Sequence, residues 1–97
     1  MKLVFTEEAR RDLLLVGDYI AQDNPRRAIT FVEELEACCR ALVDQPSAYQ
    51  LVPRYEALDI RRAVHGRYSI FYRAEPDAVV VLHVVAGAMD YGQLFSE

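Results

Sequence analysis

The chain has 97 residues, 53% of them hydrophobic and 27% charged, with a formal net charge of −4 at pH 7. These proportions describe one ordered domain spanning residues 1–97 and exclude a disordered or fibrous chain. The acidic balance argues against loose, whole-surface binding to nucleic acid, and the longest apolar run, Ala78 to Val85, is interrupted by His83 and falls far short of the ~20 residues of a membrane helix.

Lys2 to Phe5 is short, apolar and β-prone, and reads as a strand. Thr6 is a good helix N-cap, followed by Glu7 and Glu8 where the helix dipole favours negative charge. The capping box is incomplete, because Ala9 stands three residues after the cap. The first helix is predicted to run to about Gln22. Ala9, Leu13, Val16 and Ile20 form its buried stripe, widened by Leu14, Leu15 and Tyr19, while Arg10, Arg11, Asp12 and Asp18 face solvent.

Asp23-Asn24-Pro25 breaks the helix, with Asn24 as a cap and Pro25 suited to the first position of the next. The second helix is predicted over Pro25 to about Val43. Ala28, Phe31, Leu35, Cys38 and Leu42 make one apolar row and Val32, Cys39 and Val43 the row beside it, with Glu33, Glu34, Glu36 and Arg40 opposite. So short a turn makes the two helices an antiparallel hairpin. Cys38 and Cys39 are adjacent on a helix and point about 100° apart, so they are read as packing residues and not as a disulfide or metal pair.

Pro46 stops the second helix. Residues 47–58 have no clear period and read as a crossing loop. Three strands follow: Asp59–Val64, Tyr68–Ala74 after a tight His65-Gly66-Arg67 turn, and Ala78–Val85 after Glu75-Pro76-Asp77. The order β-α-α-β-β-β defines an α+β fold: an antiparallel sheet with the helical hairpin packed on one face. The first strand pairs at the sheet edge, and the other face stays open.

Arginine is concentrated in this second half, five residues from Arg54 to Arg73 against Glu56 and Asp59. Arg61, Arg62, Arg67 and Arg73 are the candidate contact residues. Alternation sends Arg61 and Arg62 to opposite faces. One reading is a solvated face with local ion pairs to Glu56, Asp59, Glu75 and Asp77. The other is a contact surface for an acidic partner, which arginine suits because its planar fork binds carboxylates in pairs. Tyr68, Phe71 and Tyr72 are expected in the core, and Tyr91, beyond the last strand, is the best exposed aromatic contact. His65 and His83 are too far apart for a metal site, and no nucleophile motif accompanies them. No phosphate loop or dinucleotide fingerprint is present, so neither a metal nor a cofactor is expected.

The order and the text together resemble the ParE toxins of the RelE/ParE superfamily, the toxin halves of bacterial type II toxin–antitoxin systems. The resemblance is carried by Thr6-Glu7-Glu8-Ala9 with Asp12-Leu13, by Asn24-Pro25-Arg26-Arg27-Ala28, by Pro46, and most specifically by Arg61-Arg62 and Gly66-Arg67-Tyr68-Ser69-Ile70-Phe71-Tyr72-Arg73. Asp77, Val79, Val81 and Leu82 fit its last strand. After that strand, family members commonly carry a histidine, a glycine and an arginine-aspartate pair. Here the positions read Ala86, Gly87, Met89 and Asp90, so the histidine and the arginine are missing.

The resemblance implies a cytoplasmic toxin that causes growth arrest by binding DNA gyrase and stabilising its cleaved complex, without being an enzyme. It implies neutralisation by a ParD-like antitoxin, which supplies the operator-reading part, so that this chain itself makes no sequence-specific nucleic-acid contact. Arg61, Arg62, Arg67, Arg73 and Tyr91 would then serve partner binding. The alternative within the superfamily is a RelE-type, ribosome-dependent mRNA endoribonuclease, with Arg61, Arg67, Arg73 and Tyr72 as phosphate ligands and alignment groups. Ala86 and Met89 equip the chain poorly for that chemistry. Leu94 and Phe95 in the tail, residues 89–97, are expected to dock on the domain or on a partner.

Overall fold

A computed structural model describes residues 1–87 and 92–95. Strand β1 (Lys2–Phe5) leads into helix α1 (Glu7–Ala21), which turns back through helix α2 (Pro25–Asp44). A 3₁₀ turn (Glu56–Leu58) precedes strands β2 (Ile60–His65), β3 (Tyr68–Glu75) and β4 (Ala78–Ala86), and a single-turn helix α3 (Gly92–Phe95) follows. The sheet order is β1-β4-β3-β2. The last three strands form the expected antiparallel meander, whereas β1 lies parallel to β4, so the sheet is mixed.

Thr6 organises the N-terminal corner. Its hydroxyl accepts from Ala9 N at 3.0 Å, capping α1, and donates to Leu82 O at 3.0 Å. Its own N–H reaches Val81 O. Asn24 caps α2 in the same way, accepting from Arg27 N at 3.1 Å, with Pro25 in the first turn. Only Gln22 to Asn24 separate the helices. Among the described residues, two outside glycine, Arg54 and Asp59, take left-handed backbone around the 3₁₀ turn, with φ of 76° and 60°.

The main core lies between the hairpin and the sheet. Ala9, Val16, Phe31, Leu35, Cys39 and Leu42 pack on Ala63, Ile70, Tyr72, Val79, Val81 and Val84. Burial pushes the Cys39 thiol up to about 12, so it is a packing group and not a nucleophile; both cysteines are free. Along β4 the inward positions run Val79, Val81, then Val84. The register shifts at Phe71/Tyr72, where Leu82 is the extra residue, and this bulge turns Val84 rather than Val85 toward the helices.

Three further expectations are corrected. The outer sheet face is not open: Val52, Ile60 and Phe71 form a second buried cluster, covered by Tyr55, Leu82, Val85, Leu94 and Phe95. The apparently patternless loop and the tail thus supply a lid for the sheet. Leu14, Leu15 and Tyr19 do not widen the buried stripe of α1; they are 71%, 59% and 68% exposed. The sheet covers a narrower arc of the helix than its apolar residues occupy.

Asp12 does not face solvent. Its carboxylate is only 17% exposed, accepts the N–H of Val84 at 3.0 Å and lies 2.9 Å from His83 Nδ1. β1 pairs with β4 only through Val81, and Asp12 satisfies the strand edge beyond that point.

Candidate functional site

The strand register fixes where the four arginines go. Arg61 stands opposite Tyr72 on the helix side of β2, while Arg62 and Arg73 lie on the outer face with Ser69 and Phe71. Arg61 and Arg62 therefore point to opposite faces, as alternation requires. Arg67, in the β2–β3 turn, is exposed. The four do not converge on one patch.

Each strand arginine has local work. Arg61 Nη1 donates to Tyr49 O at 2.6 Å, tying the crossing loop to β2, and its Nε is buried without a hydrogen-bond partner among the described residues. Arg62 Nε donates to the hydroxyl of the buried Ser69 at 2.7 Å. Arg73 Nη2 lies 2.9 Å from Glu75 Oε2. Arg67 contributes its carbonyl, which accepts from Gly87 N at 2.6 Å. A Cβ on Gly87 would stand 3.1 Å from that carbonyl, so glycine allows the close approach of strand end to turn.

Tyr72 is fully buried. Its hydroxyl donates to Pro46 O at 2.8 Å, and burial raises its pKa. Tyr91 and Met89 lie outside the described residues. No group of three or more His, Cys, Asp or Glu among the described residues could hold a metal ion.

A charged network pins the β2–β3 turn to α2. Glu34 contacts Arg27 Nη1 at 2.6 Å through Oε2 and His65 Nε2 at 2.8 Å through Oε1. The hydrogen bond from Arg27, and then that from His65, holds the Glu34 carboxyl below its usual range. The Phe31 ring carries the Arg27 guanidinium at 5.0 Å and packs against His65 and Tyr68. Gly66 takes φ 59° in this turn, where a Cβ would still clear the Phe31 ring at 3.5 Å.

A concavity lies elsewhere, along the outer side of the helical hairpin. It is a groove of about 760 Å³ running from Arg10 and Phe5 at one end to Ala21 and Pro25 at the other. Small residues, Gly17, Ala21 and Ala28, floor it. Leu14 and Ile29, the latter 64% exposed, line it as well. Asp18, Glu33 and Glu36 also line it, against one arginine, Arg10.

The sequence reading expects an exposed helix groove but does not name the residues that line it. Its signal was present in an apolar arc too wide for one buried face and in a glycine, Gly17, placed mid-helix without a turn to explain it. Among the described residues no helix is long and apolar enough to cross a membrane.

A helical hairpin laid on a four-stranded mixed sheet is the architecture of RelE/ParE-like toxins. The model of that family described as "ParE toxin of type II toxin-antitoxin system, parDE" matches residues 3–91, and the chain belongs to this family. Among solved structures, a chain of the chromosomal ParDE toxin–antitoxin system from P. aeruginosa superposes with a TM-score of 0.76 at 19% identity, covering 90% of this chain and 96% of that one. A chain of the toxin–antitoxin complex RelBE2 from Mycobacterium tuberculosis superposes with a TM-score of 0.58 at 27% identity, covering 88% and 95%. No curated protein matches the sequence.

Proposed function

We propose that this type II toxin arrests growth by binding DNA gyrase and holding it with its DNA cleaved, and that a ParD-like antitoxin neutralises it. The mechanism is one of contact and not of bond cleavage. The observation that carries this reading is the dispersal of the groups a nuclease needs. Tyr72 is sealed in the core with its hydroxyl committed to Pro46 O. Arg61 lies on the helix side of the sheet, away from Arg73, which is itself held by Glu75. β4 ends in Ala86, a side chain that can neither donate nor accept a proton.

Contacts fit this surface better than chemistry does. Arg67 is exposed at the turn, and Arg62 and Arg73, both half-buried, lie on the outer face beside the lid. Guanidinium groups there would meet acidic side chains of gyrase or of the antitoxin in bidentate pairs. Tyr91 would join them as an aromatic contact. The toxin works in the cytoplasm, where gyrase and the antitoxin are found.

The test is a pair of assays on one purified preparation: gyrase supercoiling with trapped DNA breaks, and mRNA cleavage on translating ribosomes. Trapped double-strand breaks with intact mRNA are expected. Cut mRNA with unaffected gyrase would overturn the proposal and assign the RelE-type reaction.

A further inference from the structure

We infer that the shoulder of α1 turned away from α2 is the interface of a weak homodimer, in which a second copy of this chain packs antiparallel with Leu15 on the two-fold axis. This surface takes no part in the gyrase reading and is independent of it.

Glu8, Arg11, Leu15, Asp18 and Gln22 recur at spacings of three and four and lie along one exposed line of α1, with Tyr19 beside it. Ala9 and Val16, which carry the helix onto the sheet, occupy another side. Leu15 and Tyr19 are both more than half exposed. They overhang a cleft of about 210 Å³ lined by Tyr68, Val84 and Ala86. Apolar surface therefore continues from the helix to the strand end that β1 leaves uncovered.

The chemistry along the line selects a second copy as the occupant. A two-fold interface opposes a patch to itself, so the patch must complement its own reversal. With Leu15 against Leu15 in an antiparallel pair, Arg11 of one copy falls one residue, about 1.5 Å, from the level of Asp18 of the other. Both lie on the same flank of the contact, where a guanidinium and a carboxylate attract, and symmetry makes the pair twice. On the other flank the Tyr19 hydroxyl comes within reach of the second copy's Glu8 and donates to its carboxylate. The side-chain oxygen of Gln22 accepts from Arg11 at each end. A parallel pair would instead set Arg11 against Arg11 and Asp18 against Asp18, and repulsion excludes it.

One helix shoulder per copy buries less than the roughly 1,200–2,000 Å² of a stable interface, so the dimer exchanges with monomer and forms at high concentration. The outer sheet face lies across the sheet from the helices, so the dimer displays that face twice.

The test is sedimentation equilibrium of the full chain from about 10 μM to about 1 mM, where the mass is expected to rise from monomer toward dimer. R11D and D18R should each weaken the dimer at least about tenfold, because each sets like charges face to face. Mixed in equal amounts, the two variants should associate again, since one then brings only carboxylates to this level and the other only guanidinium groups. Thermal unfolding of both should match wild type, as both side chains are exposed. Leu15→Asp should stay monomeric throughout. A wild type that is still monomeric at about 1 mM overturns the proposal. So does a dimer that survives Leu15→Asp, or a mixture that associates no better than its components. Capture of the protein encoded beside this chain by a monomeric wild type, lost in R11D, would give the surface to that partner and overturn the proposal as well.

Discussion

The carboxylate of Asp12 accepts the backbone N–H of Val84 at 3.0 Å, joining α1 to the strand edge that β1 leaves uncovered. The same oxygen lies 2.9 Å from His83 Nδ1. Replacing Asp12 by alanine orphans a backbone donor in a poorly solvated place, which costs about 1–3 kcal/mol. Asparagine keeps an oxygen acceptor and should cost less. Urea unfolding of the two variants checks this, and an alanine variant with the wild-type midpoint would refute the role given to the pair.

Acid should loosen the β2–β3 turn. The folded Glu34 carboxyl titrates below its ordinary value of 4.5, because Arg27 and then His65 stabilise its charged form. A depressed carboxylate contributes stability that is present above the unfolded pKa and is lost as pH falls through the folded one. The wild type is therefore expected to lose Tm below pH ~4.5 more steeply than Glu34→Gln. Salt should shrink the difference, since the pair is solvent-exposed. Parallel Tm curves for the two proteins between about pH 3 and 6 would contradict this.

Tyr72→Phe separates structure from chemistry. The substitution leaves the carbonyl of Pro46 without its donor and should cost about 0.5–1.5 kcal/mol in denaturant unfolding. Growth arrest at permissive temperature should survive, because the hydroxyl faces the core. Complete loss of toxicity with the fold intact would instead give that hydroxyl a reactive role.

Reversing Arg67 tests the proposed contact surface with little structural disturbance. Its side chain is exposed, and the hydrogen bond it provides to Gly87 comes from its backbone. Arg67→Glu should unfold within about 0.5 kcal/mol of wild type yet weaken gyrase trapping or antitoxin binding at least about tenfold. Arg62→Glu, on the outer face of that surface, should do the same to binding but also lose its bond to Ser69, so its stability needs a separate control. Full toxicity and unchanged affinity in both variants would remove these residues from the interface.

Much of this architecture is legible in the sequence because local signals agree. Thr6 and Asn24 cap as read, Pro25 opens α2, and the helix and strand bounds fall within about one residue of expectation. Phe71 and Tyr72 are core residues as their strand positions suggest. The failures share a cause: each concerns a need set by tertiary neighbours. Periodicity reports an apolar arc but not how much of it the sheet will cover, so it places Leu14, Leu15 and Tyr19 inward. A lone aspartate on a helix looks solvated until a short β1 leaves a strand edge for Asp12 to satisfy. Val52 and Phe95 carry no period, so the lid they build over Phe71 could not be read from spacing. The arginines were individually visible, but their partition between two faces and a turn is a consequence of register.

The three-residue link between the helices has a kinetic consequence. With Asn24 and Pro25 fixing the start of α2 and α1 held to the sheet by Thr6 and Asp12, this chain's own contacts set the spacing of its two helices. The entropy lost on association then falls on the other molecule. A partner that orders only on this chain is unfolded, and open to proteases, whenever it lets go, whereas this chain is not. The two halves of such a complex would differ in cellular lifetime, and the difference would follow from a link only three residues long.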